Sequence, residues 1–240
     1  MSATLKDRTV LVIGRGSGIA RAVALAVREE GAKVVVAGRN AAALAEAYRD
    51  QSPDIGAEEV DLTDEASIEA LAARLGTVDH VVSTASARAR GTVADLGRET
   101  MLASFETKVL GPILLAKHFA PRMPKDGSFV LFSGATARKP TIGMLAVAAT
   151  NGAVDVVTRA LAVELAPLRV NAISPGTIDT GAYDALGEEK KAALFDERSG
   201  TNPARRIGTP GDISEAVVFA LTNTFVTGVS LAVDGGEPLV

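Results

Sequence analysis

The chain has 240 residues, enough for one α/β domain with a large buried core. Hydrophobic residues make up 47% and charged residues 22%, which excludes global disorder. A net charge of −4 without any basic stripe excludes a nucleic-acid surface. The absence of cysteine excludes disulfides and thiolate chemistry, and two histidines, His80 and His118, exclude a His-rich metal site.

The opening "MSATLKDRTVLVIG" lacks a signal-peptide pattern, because its apolar run is short and leads straight into a Gly-rich turn. No apolar run is long and uninterrupted enough for a membrane span. These features fit a cytoplasmic protein with no nucleic-acid or membrane partner. Aromatics are only 4%, and Ala and Val dominate the apolar content, as in buried parallel strands under tightly packed helices.

In chain order, the apolar runs "TVLVIG", "KVVVAG", "AEEV", "VDHVVS", "SFVLFS", "LRVNAIS" and "VSLAVD" read as strands covered on both faces. Helical patterns lie between them at 18–30, 41–49, 64–75, 98–120, 142–165 and 211–221. The alternation predicts an α/β fold, a doubly wound parallel sheet of about seven strands with helices on both faces. No linker, repeat or low-complexity block divides the chain, so one domain is expected over 1–240. Two segments break the rhythm, 85–97 and 176–208, and both leave carboxyl ends of strands, where open α/β sheets bind ligands. The second holds a short charged helix and is a candidate substrate lid.

The most informative segment is "TVLVIGRGSGIARAVALAVREEGAKVVVAGRN". Gly14, Gly16 and Gly18 sit in a turn between a strand and a helix, where glycine allows close backbone approach to a pyrophosphate at a helix N-terminus. The second strand ends in Gly38 and Arg39, where an NAD-preferring site usually carries an acid for the ribose 2′-hydroxyl. A guanidinium suits a 2′-phosphate, and Arg15 adds a second positive charge, so NADP(H) is the favoured cofactor, with NAD(H) the alternative.

From end to end the chain resembles a short-chain dehydrogenase/reductase. "GRGSGIA" is similar to the family's T-G-x-x-x-G-I-G turn, with Ile13 for the Thr and Ala20 for the last Gly; it implies cofactor contacts for Gly14, Arg15, Gly16, Ser17, Gly18 and Ile19. "DLTD" resembles the segment that contacts adenine, implying Asp61 and Leu62. "RVNAISPGTIDT" resembles the family's V-N-x-x-x-P-G segment, which implies Pro175 and Gly176 in the loop and Ile178 and Thr180 near the nicotinamide carboxamide. "RRIGTPGDISEAVVFALTN" and "TGVSLAVDGG" are similar to its C-terminal signature. The resemblance implies a Rossmann-type fold, a dinucleotide cofactor, a small-molecule substrate and a homodimer or homotetramer.

The catalytic positions depart from that pattern. Aligned on the family's Y-x-x-x-K helix, "VAATNGAVDVVTRALAVELA" puts Val147 at the tyrosine and Asn151 at the lysine. The family's serine falls on Gly134, leaving Ser133 one place early, and its helical asparagine falls on Lys108. The N-N-A-G segment becomes "STAS" at 83–86. Val147 can neither donate nor accept the proton that the family's tyrosine handles. Lys108 is the leading candidate for the missing proton donor, because a partly buried lysine acquires a lowered pKa. Tyr183 in the lid, Ser133 and Asn151 complete the candidate catalytic set. Ser86, Thr84 and Thr150 are further hydroxyls expected near the pocket. Arg88, Arg90, Arg138 and Lys139 leave neighbouring strand ends and, with Lys108, form a positive funnel that suits an anionic ligand.

Three functions stay open: an NADP(H)-dependent oxidoreductase acting on a small carbonyl or alcohol with a relocated proton donor; a catalytically inactive dinucleotide-binding sensor or structural partner; and a non-redox lyase or isomerase using the same pocket.

Overall fold

The computed structural model describes residues 5–49 and 55–240; residues 1–4 of the opening stretch lie outside the described part. The seven apolar runs form seven strands: β1 (Thr9–Ile13), β2 (Lys33–Gly38), β3 (Ile55–Glu59), β4 (His80–Ser83), β5 (Ser128–Phe132), β6 (Arg169–Pro175) and β7 (Ser230–Val233). Their order is β3-β2-β1-β4-β5-β6-β7, and every pairing is parallel. The order reverses between β1 and β4, which opens a crevice beyond their carboxyl ends.

Period-two alternation divides the core. Val10 and Val12 of β1 point to a layer formed by α1 (Gly18–Glu29), α2 (Ala41–Tyr48) and α8 (Pro210–Thr222), with Val23, Val27, Leu44, Ile213 and Val217. Leu11 and Ile13 point to the opposite layer of α3 (Glu65–Leu75), α5 (Gly111–Phe119) and α6 (Leu145–Glu164), with Leu71, Leu115, Phe119 and Val154. Among the described residues α6 alone is long and apolar enough to cross a membrane by length and composition. Here it packs along β6 and buries Ala146, Val154 and Ala162.

The single helix expected over 98–120 is interrupted. It begins as α4 (Arg98–Phe105), widens into a π-helical turn at Glu106–Leu110, and resumes as α5. Pro112 explains the break: it has no N–H for the carbonyl of Lys108, and its ring crowds that carbonyl. The third strand starts ahead of the "AEEV" run because Ile55 and Gly56 pair with Val34 and Val35. In the 176–208 segment the charged helix is longer than expected, α7 (Glu188–Thr201), and it buries no residue. Arg198 of α7 reaches Glu237 at 3.4 Å, and Lys191 pairs with Asp179 at 2.9 Å and Asp184 at 2.7 Å, holding the segment to the C-terminal turn and to itself.

Arg169 opens β6 in a buried position and donates from Nη1 to the Ala220 carbonyl at 2.6 Å and from Nη2 to the Leu221 carbonyl at 2.7 Å. These are two of the unclaimed carbonyls at the end of α8. Arg169→Ala is expected to destabilise the fold by about 3 kcal/mol in denaturant unfolding, and Arg169→Lys to recover only part, because one ammonium cannot match the fork.

Candidate functional site

The Gly turn joins β1 to α1 at the reversal point. Gly14 N–H donates to the Ala37 carbonyl at 3.0 Å, locking the turn to β2. A Cβ on Gly14 would fall 2.2 Å from Thr84 Oγ1, and one on Gly16 2.5 Å from Ala47 Cβ, so neither position has room for a side chain. Gly18 has φ +57° and lies against Thr180, which brings the β6 loop onto the N-terminus of α1. Ser17 is the N-cap, but its hydroxyl makes no capping bond, and Ile19 packs on the core beneath. The first N–H groups of α1 therefore face the crevice without a side-chain acceptor.

The other expected cofactor residues differ in exposure and in partners. Arg15 and Arg39 are exposed, and Arg39 acts electrostatically on Asp61. Thr63 donates to Asp61 Oδ1 from its N–H at 2.9 Å and its hydroxyl at 2.8 Å, holding the carboxyl below its usual range. Leu62 is buried beside Gly111. Gly176, after Pro175, has room for no Cβ, since Asp234 would lie 2.8 Å away. Ile178 is buried and bridges Gly208. At the end of β4 and in the loop after it, the hydroxyls of Ser83 and Ser86 are buried with no hydrogen-bond partner among the described residues. The glycine cradle and these orphaned hydroxyls fit a bound dinucleotide.

The second half of the site is the wall formed by the π-helical turn, the end of β5 and α6. Lys108 is only 7% exposed. Its Nζ donates to Asn151 Oδ1 and to the Ser133 carbonyl at 3.3 Å. Burial first, then the charge of Arg88, pushes the ammonium down to about 8, and Asp155 opposes the fall. Asn151 Nδ2 donates to Thr136 Oγ1 at 2.6 Å, and Ser133 Oγ donates to the Asn151 carbonyl at 3.0 Å. A Cβ on Gly134 would stand 2.7 Å from Asn151 Nδ2, so a side chain there would crowd the Asn151 amide. Val147 is buried one turn before Asn151.

Lys108, Ser133 and Asn151 are thus one connected group. Tyr183 stands apart from that network: it packs edge-on against Phe195 of α7, with ring centres 5.4 Å apart. It acts electrostatically on Arg88. The hydroxyls of Thr84 and Thr150 are spent locally, on the Ile13 carbonyl at 2.9 Å and the Ala146 carbonyl at 3.0 Å.

The positive funnel is smaller than expected. Arg138 binds Asp234 at 2.6 Å and Ser174 at 3.1 Å, and Lys139 binds the carbonyls of Glu237 at 3.2 Å and Val240 at 2.5 Å. Those two side chains anchor the C-terminal turn. Arg88 is surrounded by protein yet exposed, as befits a side chain lining a cleft, and feels Arg90, Arg15 and Tyr183. His80 lies at the opposite end of the sheet, bonded to Ser128 Oγ at 2.8 Å and pushed down to about 4 by burial.

A sequence profile described as enoyl-(acyl carrier protein) reductase matches residues 13–237. Short-chain dehydrogenase/reductase ATR9 of Stachybotrys chlorohalonatus is 32% identical over 97% of this chain and 98% of its own. The chain belongs to the short-chain dehydrogenase/reductase family. Among solved structures of that family, the MalC reductase/Diels-Alderase of Malbranchea aurantiaca is similar at 31% identity and TM-score 0.89, covering 98% of each chain. A small-chain dehydrogenase crystallised with NADPH is similar at 30% identity and TM-score 0.81, over 98% of this chain and 100% of that one.

Sequence reasoning missed Thr136 and Asp155. The signal for Asp155 was its place one turn beyond Asn151 on the same helix face.

A lysine that holds its proton less tightly when folded makes stability rise with pH. The unfolded chain carries the extra proton between about pH 8 and 10.5. Below about pH 8 the full penalty, about 3 kcal/mol, opposes folding. Lys108→Met is expected to flatten the wild-type rise between pH 8 and 10.5 in denaturant unfolding; identical slopes would show that Lys108 is not depressed.

Proposed function

We propose that this family member is an NADP(H)-dependent oxidoreductase acting on a small carbonyl or alcohol, with Lys108 as the proton donor and acceptor in place of the missing tyrosine. The observation that carries the reading is a buried ammonium with a lowered pKa, held by Asn151 and Ser133 at the carboxyl end of β5. It is supported by the tight glycine cradle beside it and by the similar dehydrogenase crystallised with NADPH.

The bound nicotinamide supplies or accepts hydride. The chain's own residues bind and orient. The backbone from Gly14 to Ile19, with Ser17 at the helix cap, takes the pyrophosphate at the N-terminus of α1. Arg39 and Arg15 take the 2′-phosphate, which selects NADP(H) over NAD(H). Asp61 and Leu62 border the adenine, while Pro175, Gly176, Ile178 and Thr180 border the carboxamide. The ammonium of Lys108 has three N–H groups. Asn151 and Ser133 occupy two, and the third is free to give its proton to the substrate oxygen as a carbonyl becomes an alcohol. In the reverse direction the neutral amine takes that proton back. Arg88 and Arg90 favour a substrate bearing negative charge, and Tyr183 closes over it from the lid. Exposed Val156, Val163 and Phe225 favour self-association as a homodimer or homotetramer.

A second reading, a non-redox reaction in the same pocket, draws on the similar reductase/Diels-Alderase. Turnover without any dinucleotide would favour it.

Calorimetric titration with NADPH, NADP⁺, NADH and NAD⁺ tests the cofactor. Arg39→Ala is expected to weaken NADPH about tenfold or more while leaving NADH unchanged. Over a panel of small oxo acids and neutral ketones, Lys108→Met is expected to lower kcat by a factor of about 10² to 10³ with dinucleotide affinity retained. Because the ammonium is the donor, carbonyl reduction should fall as pH rises through about 8, and alcohol oxidation should rise over the same range. Dinucleotide binding without turnover on any substrate would leave the protein a sensor or structural partner.

A further inference from the structure

Two polar columns face each other beneath the pocket wall. On the α4 side, Ser104 and Lys108 stand four residues apart, across the junction into the π-helical turn. On α6, Asn151, Asp155 and Thr158 follow one another at helical spacing. Both α4 and the π-helical turn pack against α6, and the Lys108–Asn151 bond fixes the two columns in register. Below that bond the polar atoms change character. Ser104 Oγ, Asp155 Oδ1 and Thr158 Oγ1 are all buried, and none has a hydrogen-bond partner among the described residues.

A carboxylate oxygen buried without a donor is costly unless a positive charge compensates it. Asp155 makes no ion pair within 4.0 Å among the described residues, so its compensation acts over a longer distance. The charged groups that act on Lys108 are Arg88, from the loop after β4, and Asp155, from α6. They act in opposite directions, and Asp155 is the only acid of the two.

We propose that Asp155 is the counter-charge of Lys108: a positioning residue that acts through the polar seam between α4 and α6 and keeps the lysine protonated for reaction. The inference rests on the reading of Lys108 as proton donor, but its first test does not depend on activity. Without Asp155, only the acceptors Asn151 and Ser133 would hold the ammonium against burial and Arg88, and Lys108 would lose its proton at lower pH. With it, the ammonium persists to about pH 8, so the donor form is populated at neutral pH.

The experiment is an NMR titration of the Lys108 ammonium in the full chain labelled with ¹³C,¹⁵N-lysine, its resonance assigned by loss in Lys108→Met. The wild-type midpoint is expected near 8. In Asp155→Asn it should fall by about one pH unit, and in Asp155→Glu it should return to the wild-type value. Should Asp155→Asn fail to fold, Asp155→Ser removes the same charge and reads the same shift. The pH limb of carbonyl reduction should move with the NMR midpoint. A midpoint unchanged or raised in the uncharged variants overturns the proposal. A shifted midpoint with an unmoved rate limb upholds Asp155 as the counter-charge and overturns Lys108 as the donor.

Discussion

The hydrogen bond from Lys108 to Asn151 is the contact on which the rest of the pocket wall depends. A buried ammonium must find acceptors or lose its proton. Asn151 supplies one oxygen and the Ser133 carbonyl the other. With its oxygen committed, Asn151 turns its amide to Thr136. That rotamer leaves no space for a Cβ on Gly134. The π-helical turn carrying Lys108 is set by Pro112 four residues on. Lys108, Asn151 and Gly134 are therefore linked by one hydrogen bond and one close steric contact, and Val147 is the apolar residue one turn before Asn151.

The cofactor half is governed by sterics instead. Gly14 is wedged under Thr84, Gly16 under Ala47, and Gly38 has only 2.9 Å to the Gly14 carbonyl for any Cβ. The last of these explains why the end of β2 carries no acid at that residue: the turn lies against it. Arg39 beside it is exposed and carries the positive charge at that strand end. At the mouth, the division between paired and unpaired cations matters more than their number. Arg138 and Lys139 tie down the C-terminal turn, whereas Arg88 and Arg90 have no carboxylate partner among the described residues.

Much of this was legible in the sequence. Parallel strands buried on both faces are nearly all apolar, so the inner runs marked the sheet and the Gly turn its switch point, whereas the edge strands β3 and β7 are only partly buried, against the expectation of cover on both faces. The interruption at 106–110 was not legible from hydrophobic periodicity, because a proline early in α5 does not disturb the apolar pattern on either side. Lys108 could be singled out by its misfit with the family's motif, but not its partners. Asn151 and Ser133 lie 43 and 25 residues away, and only the fold brings them to it. Arg138 and Lys139 misled for the same reason, since their acceptors sit at the far end of the chain.

The measurement that tests the account most directly is a high-resolution crystal structure of the protein with NADP⁺. The account predicts the pyrophosphate on the turn from Gly14 to Gly18, the 2′-phosphate beside Arg39, and Lys108 still donating to Asn151 with one N–H left toward the substrate space. A dinucleotide bound elsewhere, or a Lys108 side chain withdrawn from Asn151 and turned to solvent, would contradict it.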